Sequence, residues 1–556
     1  EAMWTSTADF MMSFKMKTRI LAGLAALACL ASCIDSSNKL GGDLVPAGQI
    51  YKFYTVDTPV PQIYVRMADS LSGLSSSRIT IGAVRDKEYG LSTRKSAVAL
   101  VPLVRKMDFG KNPKFKSFHF AASLDTVSAG DPSQKNILQG IKVYELAKPM
   151  DYKKDFDCNK PFPHLGKSIT KGSPVFNGSD SLSFNFSEEF GKKYLGITSE
   201  DLEDIDTYLK KFPGIMIETD APSGEGGRIG MFKLQLDYNS SYGYIQGNYA
   251  KLSFSGEYNG ERRDSSFLFY YGADKFYDID SLFSASSTGK FPQYALNLSS
   301  QETGSSVGYA KEDIKIEGGG GLKPVISAKQ LKRMAEEAIA SKGGNPKTAV
   351  INKASLVFPF EVPAEVSELD RWPDILSPTC RITDDEITRF MGLTDSGSEY
   401  EDQGDINRSL LEYAPDITFH IQELIKIDES DASSKKTERL DKGFYDIWLL
   451  IMANEVVTTT NSGSSDLSEM YQYLAYQSYY NDMYGGGYGG YGGYSNYYSN
   501  YYNYAMMAAY AGQSTTSTSI STQLDKDRFY RAKLNGPTAA DGRVPHLQIT
   551  FAIPEE

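Results

Sequence analysis

ITIGAVRDKEYGLSTRKSAVALVPL, residues 79–103, sets the fold class of this chain. Ile79, Ile81 and Ala83 alternate with smaller or polar residues, and the polar run Arg85–Glu88 interrupts the pattern before an apolar stretch from Ser96 to Val104. Alternation with a period of two is the mark of a strand with one face buried, because successive side chains point to opposite faces of a sheet. Two such runs joined by a short polar turn read as strands 77–84 and 96–104.

The same pattern continues on both sides. Residues 50–56, 115–124, 140–146 and 182–186 read as further strands, separated by short turns rich in Gly, Pro and polar residues. Strands linked this way favour a sandwich over a parallel sheet with crossover helices. Helical spacing occurs in three places. Leu202, Ile205, Leu209 and Phe212 follow Ser199 and stop at Pro213-Gly214; Leu331, Met334, Ala335, Ala338 and Ile339 follow a Ser327/Gln330 capping pattern; and Leu467, Met470, Tyr471 and Leu474 follow an Asp466/Glu469 pattern. The expected fold is therefore mainly β with a few helices, in two tandem halves resembling β-sandwiches or jelly rolls, 51–275 and 276–556. The order of strand motifs in the two halves suggests an internal duplication.

The N-terminus carries a different signal. Lys15, Lys17 and Arg19 precede the apolar run ILAGLAALACL (20–30), which is too short to span a bilayer and has the layout of an export signal. Leu30-Ala31-Ser32-Cys33 then gives a branched apolar residue, two small residues and a cysteine, the pattern cut and lipidated in bacterial lipoproteins. Residues 1–33 are thus expected to be an upstream extension and signal, Cys33 the lipidation site, and the Gly-rich segment 34–50 a flexible tether. Acyl chains on one sulfur anchor an otherwise water-soluble body, at roughly 0.8 kcal/mol per buried CH₂.

Composition narrows the function further. Net charge is −12, which disfavours a nucleic-acid partner. Of four cysteines, two lie in the signal, leaving Cys158 and Cys380, too few for a disulfide framework. The four histidines are scattered and form no zinc-binding motif, so neither metal nor cofactor is expected. Gly304–Gly308 spells GxSxG without the following helix that the motif needs. Gly318–Gly321 lacks the Gly-Lys-Ser/Thr of a phosphate loop and reads as a tight turn. The carboxylate runs at 384–386 and 399–405 read as solvated loops, and a glycosidase pair cannot be told from them by spacing.

Two features point to a contact surface. Residues 471–511 hold fifteen tyrosines around GGGYGGYGGY (485–494), making Tyr488, Tyr491 and Tyr494 candidate ligand contacts. Trp372, between Arg371 and Pro373, is a fourth.

The lipobox, the 79–103 stretch, GIKVYEL (140–146), FPGIMIET (212–219), IEGGGGLK (316–323), INKASLVFPFEV (351–362) and RAKLNG…LQITFAI (531–553) together resemble a family of Bacteroidota outer-membrane lipoproteins that carry a domain of unknown function. The Tyr/Gly insertion is not part of the family pattern. The resemblance implies a β-rich lipoprotein at the outer membrane and supplies no catalytic residues. In that setting Asp69-Ser70-Leu71, Asp125-Thr126-Val127, Asp180-Ser181-Leu182 and Asp280-Ser281-Leu282 match a periplasmic O-glycosylation pattern, which makes Ser70, Thr126, Ser181 and Ser281 candidate acceptors. The expected function is a non-enzymatic binding or assembly role in the envelope, with an envelope protein or a glycan as partner and the cell surface as the expected location; the periplasmic face is the alternative. The competing readings are a surface glycan-binding lipoprotein and an envelope hydrolase with an unrecognised carboxylate pair.

Overall fold

The computed structural model describes residues 51–125, 134–152, 154, 156–239, 244–277, 288–302, 306–384, 387–393, 395, 403–460 and 516–554. The signal and tether (1–50), the helix expected after Asp466 and the Tyr/Gly stretch 471–511 lie outside these residues.

The described chain is mainly β, and its paired strands run antiparallel. A nine-stranded sheet is centred on Gly90–Val98, which pairs with Arg78–Asp86, Ile215–Thr219 and Ala295–Gln301. A five-stranded sheet runs in the order Ser181–Asn185, Lys111–Ser123, Ala250–Tyr258, Glu261–Tyr271, Leu100–Pro102. These two sheets share one apolar core: Phe118, Phe120, Phe254 and Phe269 come from the second, and Ile79, Val98, Val143, Ile215 and Ile217 from the first. That is the sandwich arrangement the alternation predicts. Its centre is aromatic. The Phe118 ring lies 4.8 Å from Phe186, 5.0 Å from Tyr194 and 5.4 Å from Phe269.

Two further large sheets complete the body. One has seven strands, with Leu322–Ile326, Ile447–Thr460 and Ile375–Asp384 at its middle; the other has five and carries the first and last described strands. Residues 54–551 form one compact unit.

The sheets cross the expected boundary at 275/276. Ala295–Gln301 pairs with Gly90–Val98, and Tyr64–Met67 pairs with Leu322–Ile326. Strand pairing between distant segments, which local pattern does not encode, decides the grouping here.

The strand after the 79–103 turn also begins earlier than hydrophobicity suggests, at Gly90 rather than Ser96. Ser92, Arg94 and Ser96 occupy its inward positions and are buried, so the alternation is present but written in polar residues.

Helices are short. Ala328–Ala340 is the expected one after Ser327, but its cap differs. The Ser327 side chain makes no capping bond, Gln330 Nε2 donates to the Gln62 carbonyl, and Asp446 Oδ1 accepts from Ala328 N at 2.8 Å. A carboxylate from a distant loop thus supplies the anionic N-cap. The helix expected from Ser199 splits: a short turn, Glu200–Leu202, precedes Ile205–Lys211, which Asp204 caps by accepting from Thr207 N at 2.8 Å. Glu188–Tyr194, Thr418–Ile425 and Lys435–Asp441 are further helices. At seven or eight residues each they are too brief for a clear 3.6-residue period.

Candidate functional site

The outer face of the five-stranded sheet carries a trough of about 380 Å³, lined by Ser117, His119, Ala121, Gly247, Tyr249, Lys251 and Ser253. This volume is at the lower end of the range for small-molecule sites. Alternation puts these residues there. Phe118, Phe120 and Ala122 point into the core, so Ser117, His119 and Ala121 point out; Ala250, Leu252 and Phe254 point in, so Lys251 and Ser253 point out. Register places His119 opposite Lys251 and Ser117 opposite Ser253. Ala121 and Gly247 contribute almost no side-chain volume, which leaves a depression between the longer His119, Tyr249 and Lys251. Gly247 has φ +127°, and a Cβ there would stand 2.2 Å from the Gln235 carbonyl oxygen, so only glycine fits.

The chemistry of the lining is polar and cationic. Asn185 lies opposite His119 on the edge strand, and its Oδ1 is 3.1 Å from His119 Nδ1. In the neutral ring, Oδ1 as the partner makes Nδ1 the donor and Nε2 an acceptor. Among the described residues Lys251 makes no ion pair and no hydrogen bond. Lys251 shares the lining with Ser117, Ser253 and Tyr249, and among the described residues the lining holds no carboxylate.

A second polar assembly lies within the fold, behind the nine-stranded sheet. Ser92, Arg94 and Ser96 meet residues far away in sequence. Glu317 Oε1 accepts from Ser92 Oγ at 2.5 Å and from Arg531 Nη2 at 3.2 Å, while Oε2 accepts from Gln301 Nε2. Arg94 Nη2 donates to the Gly318 carbonyl at 2.7 Å. Asp527 accepts from Ser75 Oγ at 2.5 Å and from Asn297 Nδ2 at 2.8 Å. Lys323 Nζ donates to the carbonyls of Glu317, Gly319 and Gly321.

The four glycines Gly318–Gly321 are all buried. A Cβ on Gly320 would sit 2.3 Å from Asn159 Oδ1 and 2.6 Å from Cys158 Sγ. This is a turn, as its sequence suggests, pressed between side chains that leave no room for a ligand. Burial lowers the Lys323 ammonium to about 7 against the raising effect of Glu317, lowers Arg94 and raises the Cys158 thiol. These are features of a closed seam that fixes the strand Arg531–Asn535 and its partner Asp313–Glu317 on the body.

The residues singled out from sequence are dispersed. Trp372 is 7 % exposed and lies edge-on to Phe360, with ring centroids 5.0 Å apart. It is a core residue, because flanking Arg and Pro do not prevent an indole from turning inward to bury its large apolar area. Trp448, in strand Ile447–Thr460, is buried too, with the Arg66 and Arg381 guanidiniums 5.1 and 5.6 Å from its ring. Ser70 stands half-buried in a turn with φ 69°, its hydroxyl 3.4 Å from Arg381 Nη2, and Ser181 is exposed at the start of an edge strand. Cys33, Thr126, Ser281, Tyr488, Tyr491 and Tyr494 lie outside the described residues. Cys158 and Cys380 are buried and are not joined in a disulfide. Ser306 of the GxSxG stretch donates to the Glu88 carbonyl at 3.3 Å and leads into the two-residue strand Gly308–Tyr309, not into a helix. Among the described residues no three His, Cys, Asp or Glu side chains are grouped to hold a metal ion.

Sequence reading passed over the trough. Its signal was present in the FKSFHFAAS run (115–123), where small and polar residues alternate with phenylalanine, but those outward positions look like any solvated strand face. Comparison with protein-family models, with curated proteins and with solved structures finds no match for the chain.

Proposed function

We propose that this chain is a lipid-anchored protein of the Bacteroidota outer membrane whose β-sheet body serves binding or assembly in the cell envelope and performs no reaction. The lipobox Leu30–Cys33 and the likeness to the outer-membrane lipoprotein family support the anchoring. The observation that carries the binding half is the sheet-face trough. Its hydroxyl, imidazole, phenol and ammonium groups are held on a rigid sheet above an aromatic core, an arrangement made to orient a polar ligand. A surface glycan-binding role is the more specific version of this reading, and the hydroxyl-rich lining favours it.

The test is fractionation and protease shaving of intact cells that express wild type and Cys33→Ser, followed by capture of envelope components on the purified protein. The proposal expects the wild type in the outer-membrane fraction, accessible to protease, and Cys33→Ser released or uncleaved. It also expects captured material that is lost in Tyr249→Ala/Lys251→Ala. Equal membrane association of both forms, or capture unaffected by the double substitution, would count against it.

A further inference from the structure

We propose that the trough binds an acidic saccharide, one whose ring hydroxyls meet the serines and the imidazole while its carboxylate meets Lys251. This rests on the binding reading above and names the ligand class for the same site.

The polar groups of the lining restrict the choice. Lys251 brings a positive charge that has no partner among the described residues, in a chain of net charge −12. A neutral sugar would leave that charge unmatched, whereas a carboxylate forms a charge-assisted hydrogen bond with it. Directly opposite, His119 has its Nδ1 engaged by Asn185 Oδ1 and offers Nε2 as an acceptor. A lone pair at that point suits a hydroxyl donor and repels a bare anion. A sulfate, which carries no hydroxyl at neutral pH, would meet the lysine and leave the imidazole lone pair without a donor.

Ser117 and Ser253 face each other one step along the two strands, and hydroxyls both donate and accept. Tyr249 supplies an aromatic ring of the kind that packs against the C–H face of a sugar. A ligand with several hydroxyls and one carboxylate meets all of these groups at once. Hydroxyl residues continue past both sides of the trough: exposed Ser183 lies opposite Ala121, and exposed Ser266 opposite Ser253. A longer acidic chain can therefore cross the sheet without meeting an apolar barrier.

The experiment is calorimetric titration of the full lipidated chain, held in detergent, with oligogalacturonate and oligoglucuronate, with their carboxyl-reduced forms, and with inorganic sulfate. The expected result is that at least one oligouronate binds. Lys251→Ala should weaken it about tenfold or more, as loss of a hydrogen bond to a charged group does. The carboxyl-reduced form should bind wild type correspondingly weakly and show no further loss in Lys251→Ala. Lys160→Ala, an exposed lysine on another loop, should bind as wild type does. Unchanged urea midpoints confirm that the variants fold.

Equal binding of the acidic and reduced forms, with no effect of Lys251→Ala, overturns the acidic class and leaves a neutral-glycan trough. Sulfate competing as well as the oligouronate overturns it in favour of a plain anion site. No binding of any saccharide overturns the proposal outright, and the capture experiment above then decides separately whether the trough binds another envelope component.

Discussion

Replacing Glu317 by glutamine tests the buried seam at its centre. The Glu317 side chain is 1 % exposed and its carboxylate accepts from Ser92, Gln301 and Arg531. It is also the counter-charge for Arg94 and Lys323, both buried. Glutamine keeps the shape and removes the charge, leaving buried cations uncompensated. Removing one partner of a buried ion pair costs about 3–5 kcal/mol, a large fraction of the roughly 5–15 kcal/mol by which a folded domain is stable.

The assay is urea unfolding with the slope held as a control, since a change of midpoint at constant slope reports stability alone. A cycle with Arg531→Gln should give a coupling of about 0.5–3 kcal/mol. The pH response gives a second readout. Lys323 titrates at about 7 in the fold and near 10.5 when unfolded. Between those values the unfolded chain holds a proton that the native chain lacks, so this group makes stability rise with pH across that window. Without Glu317 to raise it, Lys323 falls further and the window opens below pH 7. A loss under about 1 kcal/mol, with no coupling to Arg531, would refute the view that this seam holds strand Arg531–Asn535 to the body.

Three more outcomes follow from the packing. Gly320→Ala should cost about 1–3 kcal/mol in the same assay, because the new methyl meets Asn159 and Cys158, and Asn159 cannot withdraw without losing its bonds to Ala68, Gly320 and Ser299. Phe118→Ala should cost about 3–5 kcal/mol, read by thermal or urea unfolding, because it empties the centre of the aromatic core. His420 is buried, with its Nε2 3.1 Å from the Tyr445 carbonyl, and burial lowers it from 6.5 to about 4. The unfolded chain therefore takes up this proton first as pH falls from 6.5 to 4, stability declines through that range, and the decline between pH 7 and 4.5 should be smaller in His420→Gln.

The sequence reveals the sandwich through its phenylalanine alternation and hides the rest for identifiable reasons. From Phe118 to Ala122 every second residue is apolar and buried, so both the strand and its buried face are readable. At 90–96 the inward residues are Ser92, Arg94 and Ser96, and they are buried only because Glu317, Gly318 and Asn297 arrive from more than 200 residues away. No local rule contains that. The same long-range pairing carries strand Ala295–Gln301 back across the expected domain boundary. Helix caps at Ala328 and Phe419 come from Asp446 and Asp395, outside the segments that carry capping signals. For the site, the tryptophan singled out by its polar neighbours is core, while the trough is built from serine, histidine and lysine that look ordinary until register sets them side by side.

Lipid on one cysteine, Cys33, is proposed to hold this body at the membrane. Mass spectrometry of the mature N-terminus, on protein purified from the envelope of expressing cells, tests it directly. The predicted result is a chain beginning at Cys33 and carrying the mass of acyl chains on that residue. A mature N-terminus at another residue, or an unmodified Cys33 in the membrane fraction, would contradict it.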